Sequence, residues 1–140
     1  MALLIRPGGD IDTAVTMLRF ENGALGVVEM SRRSAWGYDI RTEVAGHDGK
    51  VVVEAAQKTT ATFSRRFGFE GDHYESFPDR FEVAYRIELE TFFRTLGEGG
   101  VPAPGPEEAL RTLQVALAAR QSWQEGRPVR VADVTAEAPA

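Results

Sequence analysis

Asp72, His73 and Glu75 bring an imidazole and two carboxylates together in one short stretch, the residue types that ligate divalent cations or move protons. Three local side chains without a distant fourth make a weak metal site, and a solvated loop is the simpler account. Serine-hydrolase chemistry needs an oriented Ser-His-acid set, commonly with its nucleophile in Gly-x-Ser-x-Gly, and the sequence contains no such string. Cysteine is absent, so thiolate nucleophiles, thiolate metal sites and disulfides are all excluded. A lysine proton shuttle has two candidates, Lys50 and Lys58, both in or beside a polar hairpin rather than a pocket. Glu107 and Glu108 form a carboxylate pair, but they begin a helical pattern, where the dipole accounts for them. A dinucleotide cradle requires a Gly-rich turn between a strand and a helix. Gly23 to Gly26 falls in a hairpin, and Gly97 to Gly100 runs into Val101-Pro102, so neither cluster has that form.

Composition narrows the class further. With 140 residues, 43% of them hydrophobic, the chain suits one globular domain and leaves no room for a second full one. The net charge of −5 argues against nucleic acid, which requires a concentrated basic face; Arg32-Arg33 and Arg65-Arg66 read as solvated strand ends. Met1 to Pro7 is too short in its apolar part for a signal peptide, and no apolar run reaches the roughly 20 residues of a membrane helix. These readings lead to the expectation of a soluble, cytoplasmic protein.

The elements that must position any site follow from periodicity and turn chemistry. Asp12 to Phe20 and Ala24 to Met30 read as strands joined through Glu21-Asn22-Gly23. Tyr38 to Val44 alternates, with Tyr38, Ile40, Thr42 and Val44 on one face and Asp39, Arg41 and Glu43 on the other. His47-Asp48-Gly49 turns that strand into Lys50 to Glu54, a further strand falls near Thr59 to Arg65, and Phe67 to Phe77 reads as a loop. Asp79 and Glu82 have the spacing of a capping box ahead of Phe81, Tyr85, Leu89, Phe92 and Leu96, an apolar stripe expected to lie on the sheet. Pro106 begins a second helix that Gly126 and Pro128 end near Glu125. Val129 to Val131 could add an edge strand, and 133–140 are expected as a flexible tail. Strands first and helices second predict an α+β domain: an open, mostly antiparallel sheet of five or six strands with two long helices packed on one face.

With the elements placed, Gly9-Asp-Ile-Asp-Thr-Ala-Val15, Phe20-Glu-Asn-Gly-Ala24, Ser31-Arg32, Gly37-Tyr38-Asp39 with Arg41 and Glu43, Ala84-Tyr85, Ala116 to Ser122 and Glu125-Gly-Arg-Pro-Val129 stand in a telling order. Their order and spacing resemble the C-terminal domain of the Gfo/Idh/MocA oxidoreductases, most closely that of the inositol dehydrogenases, over residues 1–132. The resemblance implies an open sheet backed by helices, an exposed sheet face that joins subunits, and a substrate pocket against a dinucleotide-binding domain. No such domain is expected within these 140 residues, which contain neither the family's Glu-Lys-Pro nor its Asp-x-x-x-His motif, and neither His47 nor His73 sits in the latter.

The same resemblance implies candidate substrate contacts. Tyr38 would offer a hydroxyl to a polyol, or serve as core with a wet tip. Trp36 would stack on a sugar ring or simply pack. Arg80 and Tyr85, at the start of the first helix, would face the cleft, although the spacing also makes Tyr85 core. No catalytic, cofactor-binding or metal-binding residue is assigned. The expected function is the substrate-side and oligomerisation domain of an inositol-dehydrogenase-like NAD(P)-dependent oxidoreductase, unable to transfer hydride alone and binding no cofactor by itself. Alternatives are a stand-alone partner or regulatory subunit of a dinucleotide-binding protein, and a repurposed cofactor-free lyase, isomerase or cyclase using an open cleft. The partners expected are a second copy through the open sheet face, a dinucleotide-binding subunit, and a sugar or polyol, with neither nucleic acid nor membrane.

Overall fold

Asn22-Gly23 turns the chain as its chemistry requires: Gly23 takes φ 87°, and the Asn22 side-chain oxygen accepts the Ala24 N–H at 3.0 Å. The computed structural model describes residues 2–5 and 11–135, which cluster into two compact units. The class is α+β: among the described residues seven antiparallel strands precede two long helices. The strands pair in three separate groups, where one ladder of five or six was expected.

The first unit is formed by Met1–Arg33 with Thr91–Ala140. Its strands are β1 (Ala2–Ile5), β2 (Ile11–Arg19) and β3 (Leu25–Ser31), with β2 central and both neighbours antiparallel to it. Met17 lies opposite Val27 and Thr13 opposite Ser31. Along β2, Asp12 and Ala14 are buried while Ile11, Thr13 and Val15 beside them are less so, the alternation expected of a strand with one covered face.

The second helix, α2 (Pro106–Glu125), matches its sequence signals at both ends. Pro106 occupies the first turn, Glu108 accepts the Gly105 N–H at 2.9 Å, and Gly126 closes the helix in the left-handed region at φ 65°. The expected edge strand at Val129 to Val131 is not formed. Val131–Asp133 makes a single 3-10 turn, Val134 is buried, and its carbonyl accepts a hydrogen bond from Gln114 Nε2 at 3.1 Å. An apolar side chain with α2 to cover it gains more there than on an unpaired edge. The chain is thus anchored through Val134; the expected flexible tail lies in its outer part, 136–140, outside the described residues.

The second unit, Ser34–Glu90, holds two hairpins and the first part of α1 (Phe77–Gly97). In the first hairpin β4 (Thr42–Gly46) pairs with β5 (Gly49–Val53) around His47-Asp48. The expected strand from Tyr38 therefore starts four residues late. Gly37 sits at φ 107°, Tyr38 donates its N–H to the Tyr74 carbonyl at 2.8 Å, and Asp39 bonds side chains on both sides of it. Local side-chain hydrogen bonds here replace the ladder.

The second hairpin corrects the reading of Phe67 to Phe77 as loop: β6 (Thr62–Arg65) pairs with β7 (Gly68–Gly71), with Phe63 opposite Glu70. A four-residue strand bounded by glycines is too short to show a period.

Helix α1 begins at Phe77, with Pro78 in its first turn, and is broken at Phe81, whose φ −116° and ψ 18° are non-helical. The Asp79 carboxylate is turned to Lys58 Nζ, at 3.1 Å through each oxygen, rather than to a cap. The apolar stripe has the predicted spacing but remains open: Tyr85, Leu89, Phe92 and Leu96 stay between 43% and 59% exposed. Amphipathic spacing orients a stripe, whereas burial needs a second surface over it. Among the described residues no helix is long and apolar enough to cross a membrane.

Candidate functional site

Within the second unit, three segments line an open cleft of about 350 Å³: Trp36 to Arg41, Glu54 to Gln57, and Gly71 to His73. The lining comes from the irregular residues that flank the two hairpins. Such flanks are where side chains escape the strand alternation and converge.

Asp39 organises the first segment. Its carboxylate accepts Arg41 Nε at 3.0 Å and Arg41 Nη2 at 3.0 Å, a forked pair, and also the Trp36 indole N–H at 3.1 Å. The Asp39 side chain is 18% exposed, against 62% for Arg41. The hydrogen-bonded Arg41 guanidinium holds the Asp39 carboxyl below the usual aspartate range; burial opposes this and the Trp36 indole reinforces it. Arg41 is correspondingly raised, by Asp39 first and by the Glu54 charge to a smaller degree.

The three segments are held together by close backbone approach. Gly37 lies against His73 so tightly that a Cβ at position 37 would overlap the imidazole. Nδ1 of His73 is 3.1 Å from the Tyr74 carbonyl; with the proton on Nδ1 it donates there, leaving Nε2 as an acceptor. A Cβ at Gly71 would come within 2.8 Å of Gln57 Nε2. Asp72 accepts the Thr59 N–H at 3.0 Å, and hydrogen bonding from Thr59 lowers its carboxyl below the usual range.

The structure brings Trp36 and Tyr38 to this cleft. Arg80 and Tyr85 are not among its lining residues. The Arg80 guanidinium lies over the rings of Tyr74 and Phe81, at 5.3 and 5.1 Å, and the Phe81 ring meets Tyr38 edge-on at 6.1 Å. Arg80 thus touches the aromatic support beneath Tyr38, while Tyr85 stands half-exposed on α1. Sequence reasoning missed the Asp39 hub, Glu54 and Gln57 altogether. Alternation put Asp39 and Arg41 on one strand face; the structure pairs them with each other. A glycine before Tyr38 in an otherwise alternating run was the available signal of close approach. Asp72, His73 and Glu75 do not gather as a metal site among the described residues.

A dinucleotide does not fit the described residues. The N-terminus of α2, the natural seat for a pyrophosphate, already carries Glu107 and Glu108, and Glu108 takes the Gly105 N–H. Asp79 at the start of α1 likewise places a carboxylate there, paired with Lys58. The glycines at 23, 49 and 68 lie at hairpin turns between paired strands.

Residues 6–131 match the family model described as the oxidoreductase family C-terminal alpha/beta domain. The chain is 38% identical over 131 residues to the myo-inositol 2-dehydrogenase of Thermotoga maritima, covering 93% of this chain and 39% of that protein. It is 36% identical over 123 residues to the scyllo-inositol 2-dehydrogenase (NAD(+)) of Bacillus subtilis, covering 88% and 36% respectively. The solved structure of a "probable dehydrogenase" from Thermotoga maritima superposes with a TM-score of 0.84 at 38% identity, over 90% of this chain and 38% of that one. The chain therefore spans somewhat over a third of the length of these relatives. On a match covering nearly all of its length, the chain belongs to the Gfo/Idh/MocA oxidoreductase family and carries that family's C-terminal α/β domain.

Proposed function

We propose that this chain is the substrate-side domain of an NAD(P)-dependent dehydrogenase of cyclitols or related polyols, with the cleft beside Trp36 and Tyr38 as its share of the substrate pocket. The observation that carries the reading is the cleft itself: an indole, a phenol, a forked Asp39–Arg41 pair, Glu54, Gln57 and His73 around one open space. Donors and acceptors of both kinds beside an aromatic face suit a ligand that is hydroxyl-rich on its edges and apolar on its ring faces. The two inositol dehydrogenases it resembles supply the substrate class.

In this reading Tyr38 offers its hydroxyl to a substrate oxygen, while Phe81, with Arg80 above it, fixes the ring. The chain's own residues bind and orient; hydride transfer requires a dinucleotide-binding region that these residues do not form. The domain also joins copies of itself. Supporting this, Val27, Val28 and Met30 on β3 and Val51 to Val53 on β5 are exposed, an apolar content that favours association.

The test is a chimaera in which this chain replaces the matching 131-residue stretch of the Thermotoga maritima relative. Cyclitol-dependent reduction of NAD is expected, whereas the 140-residue chain alone yields none. A folded chimaera that binds NAD yet turns over no cyclitol would overturn the proposal.

A further inference from the structure

The Trp36 indole is exposed at the cleft, and an exposed tryptophan ordinarily samples several rotamers. This one is tethered. Its ring N–H is bound by Asp39 Oδ2 at 3.1 Å, and the same carboxylate is held from the other side by both nitrogens of the Arg41 fork. Asp39 is itself the least exposed member of the trio, so it cannot swing away to water without releasing both partners. The segment's backbone is fixed as well, by Gly37 against His73 and by the Tyr38 N–H on the Tyr74 carbonyl. The result is an aromatic plate whose orientation is set before a ligand arrives.

We infer that Asp39 is a positioning residue: it fixes the Trp36 indole as a stacking wall that selects ring-shaped polyols over open-chain ones. The inference rests on the polyol reading above and deepens it. A cyclitol or pyranose presents a face of C–H bonds that a fixed ring can cover, and the entropy of ordering the indole has already been met. An open-chain alditol has no such face and gains nothing from the plate. Arg41 acts through Asp39, as a brace.

The experiment follows ligand binding to the 140-residue chain by two-dimensional NMR, using the indole N–H signal of Trp36, one of only two tryptophans. myo-Inositol is the ring probe and sorbitol the open-chain probe. Asp39→Ala is expected to move the Trp36 indole signal toward its free position and to weaken myo-inositol binding about fivefold, what one hydrogen bond is worth. Sorbitol binding is expected to weaken less, so that the preference for the ring over the open chain narrows. In a Trp36→Ala background the same substitution should leave the ratio of myo-inositol to sorbitol binding unaltered, since its effect on that ratio runs through the indole. Asp39→Asn keeps a carbonyl oxygen for the indole and should retain most of the ring preference, which also covers the case in which Asp39→Ala fails to fold. An equal loss of ring preference from Asp39→Ala with and without Trp36, or an Asp39→Asn variant that loses ring preference while its indole signal is unmoved, would overturn the inference and leave the polyol reading standing. A native chain that binds neither probe overturns the inference, while the polyol reading is decided by the chimaera.

Discussion

Gly37 and His73 lie face to face, the glycine's bare Cα filling the space that a side chain would contest with the imidazole, and the glycine holding φ 107°. This contact closes the cleft at the point where the Trp36 segment meets the loop after β7. It also shows why position 37 admits nothing larger: the backbone conformation and the neighbour each demand glycine.

Gly37→Ala is accordingly expected to destabilise the chain by about 1–3 kcal/mol, the usual cost of a strained backbone position. Denaturant unfolding measures it. His73→Ala in the same chain should relieve the collision but not the backbone strain, recovering only part of the loss.

The Asp39 carboxyl is held below its unfolded range by Arg41, so its contribution to stability is fully present above the unfolded value of about 3.9 and is lost as pH falls through the lowered folded value. Asp72 behaves in the same direction through Thr59. Acid unfolding followed by the Trp36 signal should therefore show a pH-dependent loss below the ordinary aspartate range. Asp39→Asn should flatten that dependence, and a profile identical to the native one would contradict the assignment.

Phe81→Ala removes the edge-on partner of Tyr38 and the platform under Arg80. An aromatic pair contributes about 0.5–1.5 kcal/mol beyond its area, and a loss of that order is expected in thermal or denaturant unfolding. Tyr38→Phe keeps the ring contact, so stability should hold while polyol binding weakens, which calorimetric titration separates.

Glu108→Ala leaves the Gly105 N–H without its carboxylate at the head of α2. A cost of about 0.5–2 kcal/mol is expected from the lost cap. Glu108→Gln should restore part of it, because the amide oxygen can still accept; circular dichroism during unfolding reads both.

Lys58 and Asp79 tie the strand-flanking loop to the start of α1 across 21 positions. Asp79 raises the Lys58 ammonium above the usual lysine range, so this contribution is present below that range and lost as pH rises through the raised value. Lys58→Met should lower the unfolding midpoint slightly at low salt and not at high salt, since both groups face water.

The sequence by itself determined the local elements and the family. The Asn22-Gly23 hairpin, the β4–β5 pair around His47-Asp48 and the limits of α2 from Pro106 to Gly126 follow from turn and cap chemistry within a few residues, and the order of short motifs identified the oxidoreductase domain. The tertiary structure decided the site. Whether Tyr38 to Ile40 joins a ladder depends on Asp39 finding Trp36 and Arg41 and on Tyr74 standing opposite, and whether Arg80 reaches the cleft depends on two aromatic rings that capture it first. Periodicity reports which face of an element is apolar; the pairing of Gly37 with His73, or of Gln57 with Gly71, joins residues remote in sequence and leaves no local pattern, because it is selected by packing in three dimensions.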